Sequence, residues 1–173
     1  GETKETIPMK EGQPKRVDYE YVRNGSANVF CAVEPKAGVY INRVTERRTA
    51  PEFAKFLASV ERRYPEAKKI VLVMDNLSTH KEKSLTDFYG EKDGNALWNR
   101  FEVHYTPKHG SWLNQAEIAI GMYQRQCLGD SRIPDSGALR KKTNAWNKIV
   151  NRKNVTINWT FFKNDARKKF NYG

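Results

Sequence analysis

The sequence has few of the residues on which several protein classes depend. Its 173 residues include two cysteines, too few for a disulfide framework or a thiolate zinc site. No apolar stretch approaches the roughly 20 residues of a membrane-spanning helix. Residues 1–5 lack the basic start and apolar core of a secretory signal. None of the three histidines has the spacing of a helical zinc site. These scarcities argue against a membrane protein, a secreted disulfide-rich domain and a zinc enzyme.

Acidic residues are scarce in the C-terminal part of the chain. Lys and Arg number 31 against 20 Asp and Glu, a net charge of +11 with a pI near 9.7. Residues 101–173 contain thirteen bases and five acids and so carry +8 of that charge. Aromatic residues alternate with these bases, which indicates a folded basic region rather than a loose tail (Trp146, Trp159, Phe161, Phe162, Phe170 and Tyr172). A basic surface of this kind is typical of proteins that bind nucleic acid.

The composition and the hydrophobic patterns predict one α/β domain spanning residues 1–173. Hydrophobic residues make up 38% of the chain and aromatics 12%, which is enough for a core in a protein of 20.0 kDa. The patterns predict strands at 17–22, 28–34, 39–44, 70–74 and 101–105, with strand-like character at 155–162. They predict helices at 50–64, 80–90, 112–128, 135–152 and 163–170, a capping box at Thr49–Glu52 and a loop at 90–94. Three strands followed by alternating helices and strands fit a mixed sheet flanked by helices.

Asp75 is the first candidate site residue. It follows five consecutive apolar residues, Ile70–Met74, which predict an inner strand buried on both faces. Ligands of open α/β sheets bind at the carboxyl ends of such strands. The segment Asp-Asn-Leu-Ser is also good turn chemistry, so a capping role for Asp75 fits the position equally well.

Glu117 is the second candidate. On the helix predicted at 112–128, with Ser111 as a plausible N-cap, it lies at the edge of an apolar stripe and beside Asn114. A carboxylate in that position is half-buried and needs a hydrogen bond, a cation or a paired base. A structural ion pair with a Lys is the simpler interpretation of Glu117 taken alone.

The two acids and the basic surface together suggest phosphoryl transfer on nucleic acid with divalent cations. Mg²⁺ prefers carboxylate oxygens, and two such ions can stabilise both the attacking and the leaving oxygen. Two carboxylates are few for this chemistry, which usually takes three.

Two long motifs resemble the DDE transposases of bacterial insertion sequences, and most closely their mariner-like group. They are Val-Leu-Val-Met-Asp-Asn-Leu-Ser-Thr-His (71–80) and Phe-Glu-Val-His-Tyr-Thr-Pro-Lys-His-Gly-Ser-Trp-Leu-Asn-Gln-Ala-Glu (101–117). Shorter stretches at 18–25, 45–49 and 125–128 resemble the same group. The resemblance runs from about residue 8 to 170. It implies a ribonuclease H-like mixed sheet flanked by helices.

In that family an Asp, a second Asp and a Glu hold the catalytic metals. The resemblance assigns Asp75 to the second Asp and Glu117 to the Glu, with 41 residues between them. It assigns Asn114 to the Asn one helical turn before the Glu and implies a two-metal site for Mg²⁺ or Mn²⁺. No residue matches the first Asp, and Asp18 is only the nearest upstream acid. We therefore expect this chain to lack the family's first strand and its N-terminal helix-turn-helix.

The implied function is DNA cleavage and strand transfer at the ends of an insertion sequence. The expected partners are transposon ends and target DNA, with no membrane, and a homodimer is one assembly open to the chain. The expected location is the prokaryotic cytoplasm, in association with the nucleoid. Two alternatives stay open: a catalytically inert DNA-binding remnant of a transposase, and a nuclease of the same fold. We also expect Arg140, Lys141 and Lys142 to contribute to salt-dependent DNA binding.

Overall fold

Two short sheets flanked by helices form the core of the computed structural model, which describes residues 25–107 and 113–170. The predicted mixed α/β class is confirmed. The described elements are β1 (Asn28–Glu34), β2 (Val39–Thr45), α1 (Ala50–Glu61), β3 (Ile70–Met74), α2 (Glu82–Tyr89), α3 (Glu91–Trp98), β4 (Phe101–Tyr105), α4 (Ala116–Tyr123), a π-helical segment (Gln124–Leu128), α5 (Ser136–Arg152) and α6 (Lys163–Phe170). The strand predicted at 17–22 lies outside the described residues. No helix within the described ranges is both long and apolar enough to cross a bilayer.

The two sheets differ in strand direction. Strands β1 and β2 are antiparallel and pair from Asn28–Thr45 to Glu34–Val39. The turn between them ends at Gly38, whose φ is +66°. A Cβ there would lie 2.6 Å from the backbone of Asn154, so only glycine fits. Strands β3 and β4 are parallel, and the two pairs share no strand among the described residues.

Helices cover both faces of the β1–β2 pair. On one face, Phe30 stacks on Phe56 of α1 with 5.3 Å between ring centroids, in a cluster that also includes Met74 and Phe101 of the parallel pair. On the other face, Tyr40 packs edge-on against Trp146 of α5. Burying each large apolar side chain contributes about 1.5–3 kcal/mol. These two clusters fix α1 and α5 on opposite sides of β1–β2.

Asparagine side chains of α5 satisfy the outer edge of β2. The Asn151 amide accepts a hydrogen bond from the Tyr40 N–H at 2.7 Å and donates one to the Tyr40 carbonyl at 2.9 Å. One turn earlier, Asn147 donates to the Asn42 carbonyl at 2.9 Å. Side chains thus take the place of a neighbouring strand and protect this edge from further pairing.

The strand-like character predicted at 155–162 is wrong, because this segment forms no regular secondary structure. Its contacts with the sheet are isolated: the Tyr40 hydroxyl donates to the Val155 carbonyl, and the Ile157 N–H donates to the Pro35 carbonyl. With the edge of β2 already occupied by α5, the segment has no free ladder to join there.

A groove separates the two sheets, and we call it the intersheet groove. Its volume is about 450 Å³, and residues 29–33 of β1 and 71–74 of β3 line it. The prediction that β3 is buried on both faces is wrong, since Val71 is 64% exposed and Val73 is 49% exposed. Ile70, Leu72 and Met74 pack against the α1 cluster, whereas Val71 and Val73 line the groove. Both faces of β3 are apolar, and the described residues cover one of these two faces.

Three smaller predictions are also wrong. Thr49 makes no side-chain cap, and the Glu52 carboxylate, the other half of the predicted capping box, accepts a hydrogen bond from Lys55. The loop predicted at 90–94 is mostly helix α3. Gly94 lies within that helix at a close approach to α2, where a Cβ would lie 2.6 Å from the Thr86 backbone. The helix predicted at 112–128 begins at Ala116 and becomes π-helical after Tyr123. Ser111, its predicted N-cap, lies outside the described residues.

Candidate functional site

Asp75 lies at the carboxyl end of the parallel β3–β4 pair, directly after Met74. The Met74 carbonyl accepts a hydrogen bond from the Thr106 N–H at 2.9 Å. The Asn76 side chain donates to the Thr106 carbonyl at 3.0 Å. These bonds hold the start of the Asp75 turn against the end of β4. The carboxyl end of a parallel pair is where ligand sites of α/β sheets form.

His80 contacts the Asp75 side chain from the far end of the same turn. Its Nδ1 lies 2.6 Å from Asp75 Oδ1, a close contact between the ring and the carboxylate. The direction does not meet hydrogen-bond geometry, and neither atom has a hydrogen-bond partner among residues 25–107 and 113–170. The His80 ring stacks on Phe53 at 4.5 Å, and the Tyr105 hydroxyl donates to the His80 carbonyl at 2.7 Å. Helix α1 and strand β4 therefore fix the position of the imidazole that contacts Asp75.

Glu117 lies in the first turn of α4, across the intersheet groove. Its side chain is exposed and makes no salt bridge with a Lys or Arg in the described part of the chain. The simpler interpretation, a structural ion pair with a Lys, thus finds no support among these residues. Glu117 is also close enough to Cys31 of β1 to affect its thiol. Burial first, and the Glu117 charge second, raise the pKa of Cys31 to about 12.

Asn114 lies just before the N-cap of helix α4, Gln115, and bonds to the start of the helix. Its Oδ1 accepts a hydrogen bond from the Ala116 N–H at 3.0 Å, and its carbonyl accepts one from the Glu117 N–H at 3.0 Å. The side-chain oxygen that would be offered to a metal thus already stabilises the start of the helix. Asn114 sets the position of Glu117 through these two bonds.

The intersheet groove brings the three predicted site residues together. Asp75, Asn114 and Glu117 all line it, as do His80 and Arg48. The Asp75 side chain is 49% exposed, so one part of it stays open while Oδ1 contacts His80. Binding of one metal ion by Asp75 and Glu117 remains a prediction.

The donor set suits a hard divalent cation but falls short of a complete site. Carboxylate oxygens are the ligands that Mg²⁺ and Mn²⁺ prefer. Within residues 25–107 and 113–170, however, no three His, Cys, Asp or Glu side chains cluster closely enough to hold a metal. Asp75 and Glu117 would need a further acid to balance two cations.

Sequence reasoning missed His80 and Arg48 as residues of this groove. His80 does not have the sequence spacing of a metal ligand. It is part of the site because it contacts Asp75, five residues earlier, across a tight turn. The available signal was the turn chemistry of Asp-Asn-Leu-Ser, which returns the chain toward its start. Arg48 belongs to a motif that pattern reasoning had not attached to any site.

Comparison with known proteins gives one match. The family model described as DDE superfamily endonuclease matches residues 1–140. This range includes all four strands, helices α1 to α4 and both candidate carboxylates. No curated protein and no solved structure matches the chain.

Proposed function

The chain belongs to the DDE superfamily endonuclease family, and from this premise we propose that it is the catalytic core of a transposase. Endonucleases of this family act on DNA. The proposed reaction is divalent-metal-dependent cleavage at the ends of an insertion sequence, followed by strand transfer into target DNA. The proposed setting is the nucleoid of a prokaryotic cell.

One observation carries the proposal: Asp75 and Glu117, with 41 residues between them in sequence, line the same groove. They come from different elements, a strand end and a helix start. Neither is paired with a Lys or Arg among the described residues. A cation bound between the two acids would be balanced by their negative charges.

In this proposal Asp75 and Glu117 hold the metal, while His80 and Asn114 position them. His80 fixes Asp75 Oδ1 and leaves the other oxygen to the groove. Asn114 fixes the first turn of α4 and thus the origin of the Glu117 side chain. A bound Mg²⁺ or Mn²⁺ would supply Lewis-acid stabilisation of the phosphate and a more acidic attacking water or 3′ hydroxyl.

The third carboxylate, we propose, comes from an extended strand that fills the intersheet groove. Both β1 and β3 have one edge without a strand partner in the described ranges, and both edges line the groove. A strand inserted there would pair with both, cover Val71 and Val73, and join the two pairs into a five-stranded mixed sheet. An Asp on that strand would complete the acid triad beside Asp75.

The two alternatives differ from this proposal in their products. A DNA-binding remnant retains DNA without cutting it, and the fact that the described residues contribute two acids to the groove, rather than three, favours that alternative. A nuclease of the same fold cuts but joins nothing. A transposase cuts and joins only when a divalent cation is present.

A plasmid that carries the insertion sequence with both ends distinguishes the three outcomes. We define the extended chain as this chain with about 30 further residues of the sequence encoded upstream, enough for a strand and its connecting turn. With Mg²⁺ the extended chain should yield nicked and joined products, and with EDTA neither. Nicked circles without joined products would identify a nuclease, and retention of uncut plasmid would identify a remnant.

A further inference from the structure

The turn between β2 and α1 separates the intersheet groove from a second cavity. Arg48 lines the groove with Asp75 and Glu117. Its neighbour Arg47 lines the second cavity. Both side chains are exposed. Adjacent residues of one turn thus border the two cavities, so a molecule crossing this turn would touch both.

The second cavity, which we call the basic cavity, has a volume of about 550 Å³. The end of β2, the start of α1 and the start of α5 form its walls (Asn42–Arg47, Thr49, Glu52, Arg140 and Asn144). It includes three arginines, Arg43, Arg47 and Arg140. Two acids, Glu46 and Glu52, also line it. The net charge that the cavity presents to a ligand therefore depends on which of these side chains are already paired with one another.

Glu52 is paired, and two of the arginines are not. The Glu52 carboxylate lies 3.0 Å from Lys55 Nζ and 4.0 Å from the Arg43 guanidinium, and Arg43 also donates to the Lys55 carbonyl. The Arg47 and Arg140 guanidinium groups have no ion pair or hydrogen bond with any other described residue. Their donors remain available, and exposed Glu46 is the one acid left to oppose them.

Helix α5 explains why Arg140 belongs to the cavity while its basic neighbours do not. Asn147 and Asn151 face β2, and Asn144 and Arg140 continue the same helical stripe past the end of the strand. Lys142 lies on another face, where its Nζ donates to Ser131 Oγ at 2.6 Å. Lys141 is exposed and does not line the cavity. The three bases expected from sequence to act together are therefore separated by the helix.

We propose that the basic cavity binds the phosphate backbone of the DNA next to the cleavage site. The inference rests on the proposed function for the identity of the substrate. Arg47 and Arg140 present planar, permanently charged donor groups that match phosphate oxygens. Arg47 of this cavity is the sequence neighbour of Arg48, which lies with Asp75 and Glu117 at the candidate metal site, so DNA held at that site continues into the cavity across the Arg47–Arg48 turn.

The test compares two double variants that remove the same charge. Arg47→Gln/Arg140→Gln should weaken binding of a short DNA duplex by about tenfold or more at ~0.1 M salt. It should also reduce the slope of log K against log salt by about 2, at roughly 0.9 per phosphate contact. The matched control, Lys141→Gln/Lys142→Gln, should leave the slope nearly unchanged. Fluorescence anisotropy in EDTA measures both without requiring cleavage.

A third variant separates specific contact from general charge. Arg47→Lys/Arg140→Lys keeps the charge and should keep the slope while weakening affinity a few-fold, because Lys lacks the bidentate geometry. Equal effects of the arginine and lysine pairs, or no effect of the arginine pair, would overturn the proposal. Because binding is measured in EDTA, failure of metal-dependent cleavage would leave this result standing. Thermal melting should be unchanged in each variant, since the replaced side chains are exposed or hold one surface hydrogen bond.

Discussion

Glu117→Gln should lower the rate of Mg²⁺-dependent DNA cleavage by the extended chain by about 10³-fold or more. Gln keeps the size of the side chain but removes the negative charge that would hold the cation. Mg²⁺ loses its hydration water reluctantly and needs charged oxygen ligands to compensate. A factor of 10³ corresponds to about 4 kcal/mol of transition-state stabilisation, a reasonable share for metal catalysis. Asp75→Asn should have an effect of the same size.

Glu102→Gln is the matched control for this experiment. Glu102 is an exposed glutamate on β4 that contacts His104 at 3.0 Å and does not line the intersheet groove. It should leave cleavage within about twofold of the unmodified rate, as an exposed surface change does. DNA affinity in EDTA should be unchanged in all three variants. If Glu117→Gln kept more than a tenth of the activity, Glu117 would not be a metal ligand.

The 173-residue chain should cleave DNA about 10³-fold more slowly than the extended chain, even with Mn²⁺. In the described residues only Asp75 and Glu117 face the intersheet groove as acids. A third acid would add a charged ligand for the cations, so a site without one would hold them more weakly. Plasmid nicking by the two chains at equal concentration measures this difference.

Comparing the 173-residue chain with the extended chain also tests whether the additional strand occupies the intersheet groove. Val71 and Val73 are exposed, and β1 and β3 each have one edge without a strand partner among the described residues. We expect these features to make the shorter chain self-associate. The extended chain should remain dispersed in size-exclusion chromatography. Equal nicking by both chains, abolished by Glu117→Gln, would contradict our account of the third acid. Asp18→Asn would then be the first variant to examine, since Asp18 is the nearest aspartate upstream of β1.

The sequence predicted the elements well because their signals are local. Alternation and apolar runs located β1 to β4, and the spacing of Phe53, Phe56, Leu57 and Val60 located α1. The same reasoning placed Asp75 at a strand end and Glu117 on a helix. Their presence on one groove followed from the family resemblance, because no local pattern relates residues separated by 41 others.

The arrangement of these elements could not be predicted, because it depends on tertiary packing. The exposure of Val71 and Val73 follows from which helix covers which face of β3, and their apolar character alone suggested burial. Asparagine side chains of α5 hydrogen-bond to the edge of β2, so residues 155–162 have no free strand edge there with which to pair. Arg47 and Arg48 likewise line different cavities because of the conformation of their turn, whereas the sequence alone presents them as two equivalent bases.

The central claim is that Asp75 and Glu117 hold a common divalent cation, and a crystal of the extended chain grown with Mn²⁺ tests it most directly. Anomalous diffraction locates the metal without relying on activity. Our account predicts a peak in the intersheet groove within roughly 2–2.6 Å of one carboxylate oxygen from each residue. A groove without a peak, a peak bound to only one of the two acids, or carboxyl groups more than about 10 Å apart would contradict it.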